Sequence, residues 1–116
     1  MAGYNHIHLE ELEELAKGNS QFMTRMLSAC CQQLPGLLDQ LEAAQRDHDV
    51  ELIKRTSHRM APTFHYLGRK DLGEMLEALE NYTEPESVLN EKAAALLTEA
   101  RHVLSDACEA LKTIQQ

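Results

Sequence analysis

The spacing of its apolar residues is what most limits how this chain can fold. Towards the C-terminus they stand at Leu89, Ala93, Leu96, Ala100, Val103, Ala107, Leu111 and Ile114, always three or four apart. At 3.6 residues per turn these positions make one stripe along a long helix, whereas a half-buried strand would need strict alternation. The rhythm recurs upstream in Phe22, Met26, Ala29, Gln33 (the polar exception), Leu37, Leu41 and Ala44, and again in Val50, Ile53, Ser57, Met60, Phe64 and Leu67. Five Gly and three Pro leave few turn signals, which argues against an all-β fold. The chain reads as all-α.

Local signals divide it into five helices. The first is expected over about His8 to Lys17, with Leu9, Leu12 and Leu15 on one side and Gly18 as its stop. Asn19 or Ser20 caps the second, in which Pro35 and Gly36 predict a kink. Asp47-His48-Asp49 reads as a turn and N-cap before a third helix, about Val50 to Leu67, that Gly68 ends. A shorter fourth helix carries Leu72, Met75, Leu76 and Leu79. Thr83-Glu84-Pro85-Glu86 has the form of a capping box, with proline in the first turn of the last helix. Short connections make sequential helices antiparallel neighbours. The expected architecture over residues 1–116 is a single domain, an up-and-down antiparallel four-helix bundle with a short additional N-terminal helix. With 4% aromatic residues and no Trp, its core falls to Leu, Ala and Met.

Charge and motifs then remove classes of function. The formal net charge is −8 and no Lys/Arg tract is present, so neither nucleic acid nor an anionic membrane surface is an expected partner. Apolar runs are only a few residues long and no signal peptide heads the chain, which points to a cytoplasmic domain. Cys30, Cys31 and Cys108 are odd in number and two are adjacent, so they read as core or boundary thiols rather than a disulfide framework. There is no P-loop or glycine-rich phosphate loop, and the surroundings of "TSHR" lack a strand-turn-helix nucleophile context. His58 and His65 stand two helical turns apart, roughly 10 Å, and no pair of Glu-x-x-His motifs occurs, so no metal site is expected.

One stretch, "RTSHRMAPTFHYLG" from Arg55 to Gly68, does not fit a purely structural helix. The stripe of this helix includes Ser57 and Met60, which turns His58 about 100° away, towards solvent. Its side of the wheel carries Glu51, Lys54, Arg55, Pro62, His65 and Arg69, a basic face on an acidic protein. An accessible imidazole beside cations able to steady a phosphoryl group is one reading of this face; an ordinary solvated face is the other. Pro62 lacks the N–H that would bond the carbonyl of His58, and in a helix interior this costs on the order of 3 kcal/mol.

"SHRMAPTFHYLG" resembles the phosphorylation motif of histidine-containing phosphotransfer (HPt) domains. In that motif the acceptor His is followed by a hydrophobic residue at +2, Lys at +3, Gly at +4 and Gly at +10. His58 stands in the acceptor position, Met60 at +2 and Gly68 at +10, while Ala61 replaces the Lys and Pro62 the first Gly. The likeness extends through "LEELAKGNSQFMTRML" and "LPGLLDQLEAA" before the motif and "LGEMLEALE" after it. His-Arg/Lys-Met-x-Pro-x-Phe looks like the variant found in HPt modules of large hybrid sensor histidine kinases, which leaves two arrangements open, a free-standing domain or one excised from such a chain whose membrane anchor would lie elsewhere.

The resemblance implies a phosphocarrier in a multistep His-Asp relay, with His58 as phosphoacceptor and no enzymatic activity of its own. Lys54, Arg55, Arg59, Ala61, Pro62, His65 and Arg69 would stabilise the phosphoryl group or dock the partner, and Arg55, Arg59 or Arg69 would supply the charge missing at position 61. The partners implied are response-regulator receiver domains. The domain would need no cofactor, since Mg²⁺ belongs to the receiver, and would act as a monomer. Two alternatives remain at this point: a helical interaction module that binds a receiver or kinase without being phosphorylated, and a metal-binding bundle.

Overall fold

Caps and left-handed residues in the sequence divide the described chain, residues 4–82 and 85–115 of a computed structural model, into five helices. They are α1 (Glu10–Ala16), α2 (Ser20–Arg46), α3 (Val50–Tyr66), α4 (Lys70–Glu80) and α5 (Glu86–Gln115). Lys17 and Gly18 end α1 with φ of 50° and 81°. Asn19 rather than Ser20 caps α2, its Oδ1 accepting from the amides of Gln21 and Phe22 at 3.0 and 3.1 Å. Asp49 caps α3 in the same way, accepting from Leu52 N at 3.1 Å. The expected capping box falls on Thr83 and Glu84, outside the described residues; the Pro85 carbonyl accepts from the Val88 and Leu89 amides as α5 begins.

The helices run up and down. Arg101 of α5 donates to Asp39 and Glu42 of α2 at 3.2 and 2.7 Å, while Cys108 lies against Cys31. Numbers rise along one helix as they fall along the other, so α2 and α5 are antiparallel. His58 meets Glu80 and His65 meets Glu77, which makes α3 and α4 antiparallel by the same logic. At 27 and 30 residues, α2 and α5 span most of the 45 Å long axis. α3 and α4 have only 17 and 11 residues and cannot cover the whole pair. The N-terminal helix covers the remainder, where Ala16 borders one hollow with Met23 and Ile114. The result is the expected four-helix bundle with a short helix added.

Aliphatic side chains fill the core, with Phe64 the one aromatic among the largest fully buried residues. Fully burying a Leu is worth about 1.5–3 kcal/mol, so Leu27, Leu34, Leu38, Leu41, Leu67, Leu76 and Leu89 carry much of the stability. The expected stripes of α3 and α5 are the buried ones, except that Val50, Leu111 and Ile114 at the ends are half-buried. In α2 the first half is rotated by one residue. Met23, Leu27, Cys30 and Leu34 are buried, not Phe22, Met26, Ala29 and Gln33. Adjacent residues at each step had matching periodicity, and packing against α1 and α5 selected the set about 100° round. Leu15 and Met75 are also exposed rather than core, because Ala16 and Leu76 take the inward positions beside them. α2 stays helical through Pro35, as α3 does through Pro62.

Candidate functional site

A helix packed on one face and open on the other can hold a histidine both fixed and accessible. Ser57 and Met60 are fully buried, which anchors α3 and leaves the His58 side chain 68% exposed. His58 borders a groove of about 460 Å³ between α3 and α4, with Ala61, Pro62, His65 and Tyr66 from α3 and Glu77 and Glu80 from α4. Ala61 lies against the core at the groove floor, 5% exposed, while Pro62 is exposed at its edge. Neither carries a long side chain that would block approach to the imidazole.

The groove is not simply basic. Glu80 Oε1 stands 2.7 Å from His58 Nδ1, and Glu77 Oε1 stands 2.7 Å from His65 Nε2. Only the second contact is a hydrogen bond, donated by His65 Nε2 to Glu77; at His58 the Glu80 carboxylate stands beside Nδ1 as a charge neighbour. Gly73 makes room for that second ring: a Cβ there would come within 2.5 Å of His65 Nε2. Glu77 and Glu80 do not stand out in the sequence, where they are two acidic residues on an amphipathic helix. The signal for Glu80 is the short Leu67–Arg69 connection, since equal counts back and forward from Arg69 set the end of α4 opposite His58; Glu77 has no such signal.

A family model described as the Hpt domain matches residues 25–114. The chain belongs to the Hpt domain family. No curated protein and no solved structure matches it. As an HPt domain it is a histidine-containing phosphotransfer module of phosphorelays, a kind of domain that interacts with receiver domains.

The other expected residues of the HPt domain divide into two groups. Lys54 is half-buried, Arg55 and Arg59 are exposed, and none of the three makes an ion pair among the described residues. Arg69 is committed elsewhere. Its guanidinium grips Asp71 through two bonds of 3.0 and 2.8 Å and donates to Glu99 at 2.5 Å and to the His6 carbonyl at 2.8 Å. The bonds to Asp71 hold the guanidinium proton more tightly than usual, and the reciprocal bond from Arg69 pushes Asp71 down. Glu99 is also pushed down, first by its bond to His6 and then by Arg69. His6 completes this corner: its amide donates to Asp106 at 2.9 Å and its ring stacks on His102 with centroids 4.7 Å apart. Arg69 therefore ties the N-terminal segment to α4 and α5. Among the described residues no group of three or more His, Cys, Asp or Glu is arranged to hold a metal ion, and no helix is long and apolar enough to cross a membrane.

Proposed function

We propose that the chain is a phosphocarrier in a multistep His-Asp relay, taking a phosphoryl group on His58 from a receiver-domain aspartate and passing it to a second receiver. The observation that carries this reading is an imidazole 68% exposed whose Nδ1 faces the Glu80 carboxylate at 2.7 Å. The Nε2 lone pair attacks the phosphorus in line. The N–P bond forms as the P–O bond to the receiver's carboxylate breaks, and that carboxylate leaves with the electron pair. With the proton on Nδ1, attack needs no separate base, and Glu80 faces the positive charge that develops on the ring. Return of the phosphoryl group to a second aspartate reverses these bonds.

Docking follows from the same groove. Pro62 and Tyr66 offer apolar area beside the reacting nitrogen, and Lys54, Arg55 and Arg59 offer positive charge to the acidic pocket of a receiver. Mg²⁺ is supplied by the receiver, and this chain, a monomeric cytoplasmic module of the hybrid sensor kinase subtype, supplies neither metal nor nucleotide chemistry. Ala61 at the groove floor, where the family motif has a Lys, favours a second reading, a module that binds a receiver without taking phosphate.

Incubation with a phosphorylated receiver separates the two. Wild type should acquire an acid-labile, alkali-stable label, His58→Gln should acquire none, and His65→Gln should be labelled like wild type. Label persisting in the His58 variant would refute the acceptor assignment. Binding of the receiver without label on wild type would favour the second reading.

A further inference from the structure

The two longest helices meet at a pair of thiols that the relay chemistry does not use. Cys31 of α2 and Cys108 of α5 are half-buried, and their Sγ atoms are 2.6 Å apart. That is only about half an ångström beyond a covalent S–S bond, so the backbones already hold the two side chains at bonding reach. The register is fixed independently two turns away, where Arg101 bridges to Asp39 and Glu42 across the same two helices. Cys30 is the neighbouring alternative, but it faces the core and is 7% exposed.

We propose that Cys31 and Cys108 form an oxidisable dithiol, which a peroxide or a low-molecular-weight disulfide closes into an intramolecular bond clamping α2 to α5 outside the His58 groove. With a peroxide, one thiolate attacks the O–O bond and becomes a sulfenic acid as hydroxide leaves. The second thiol then displaces water from that sulfur, so two thiols and one peroxide yield one disulfide and two waters. With a small disulfide, one thiolate forms a mixed disulfide, and the second displaces the small thiol. Either thiol can attack first, since both are half-buried and the same contact brings each within reach of the other.

The bond would close a loop that contains the whole α3–α4 hairpin without touching its groove. The oxidised form is thus a sturdier carrier with an unchanged acceptor.

The full chain, reduced and then treated with oxidised glutathione or hydrogen peroxide, tests this. Expected are a loss of two hydrogens in mass, one cross-linked peptide joining Cys31 to Cys108, and a monomeric product. The unfolding midpoint should rise by roughly 5–15 °C. Cys30→Ser should keep the cross-link, while Cys31→Ser and Cys108→Ser should each abolish it. Phosphoryl uptake should match that of the reduced form. A Cys30–Cys108 link, a dimer joined through these cysteines, stepwise oxidation of Cys108 without cross-linking, or an unchanged or lowered midpoint would each overturn the proposal.

Discussion

The main chain of His8 lies across Gly68. The His8 amide donates to the Leu67 carbonyl at 2.9 Å, and the His8 carbonyl occupies the space that a Cβ on residue 68 would need. Gly68 also has φ of 76°, the left-handed region that a side chain disfavours. The glycine ten residues after His58 thus does two things at once. It turns the chain from α3 into α4, and it lets the N-terminal segment pack over that turn.

Gly68→Ala should consequently lose more than a left-handed residue normally costs. The backbone strain alone is about 1–2 kcal/mol, and displacement of His8 adds to it. Denaturant unfolding should show a midpoint shift worth at least about 2 kcal/mol. Hydrogen exchange should rise first at His8 and along α1. A stable variant with an unshifted N-terminal segment would contradict this account.

The charge of Glu80 should favour the reactive tautomer of His58. In wild type, long-range ¹H–¹⁵N correlations should place the proton on Nδ1. Glu80→Ala should spread it over both nitrogens and slow phosphoryl uptake on the order of tenfold, by analogy with other carboxylates beside a histidine. Glu80→Gln, which keeps the size of the side chain but removes its charge, should be slowed nearly as much as Glu80→Ala. An unchanged rate in Glu80→Ala would show that the 2.7 Å contact has no part in transfer.

Acid should loosen the N-terminal corner before the bundle. Asp71 and Glu99 are both held below the usual carboxylate range, by Arg69 at Asp71 and by His6 and Arg69 at Glu99. A depressed folded pKa gives stability that is present above the unfolded value and is lost as pH falls through the folded one. The loss should therefore begin below about pH 4 and be complete only well beneath it. Both carboxylates are partly exposed, so the effect should be modest and weakened by salt. Limited proteolysis with an acid-active protease should cut ahead of α1 at low pH, and Glu99→Gln should move that cutting to higher pH.

Much of the bundle is legible before folding, because helical periodicity, caps and stops are local properties. The Asn19 and Asp49 caps, the Gly18 and Gly68 stops, and the stripes of α3 and α5 follow from residue type and spacing. The exposure of His58 follows too, since burying Ser57 and Met60 leaves it no other direction. Where two neighbouring residues are both apolar, spacing does not choose between them. Met23 over Phe22, Ala16 over Leu15 and Leu76 over Met75 were settled by which side of each helix found a partner.

Residue type and spacing are enough to set the helices, their order and the accessible imidazole. What surrounds that imidazole depends on how the helices pack. Glu80 and Glu77 reach the two histidines because α4 returns antiparallel along α3, a contact between residues 22 and 12 apart in the chain. Arg69 shares the helical wheel of His58 on paper, yet it sits where α3 has already ended, and its charge is spent on Asp71, Glu99 and the backbone of His6. Cys31 and Cys108, 77 residues apart, touch for the same reason. Side-chain periodicity is a property of one helix, whereas charge pairing across helices depends on a register that only packing of the core can set.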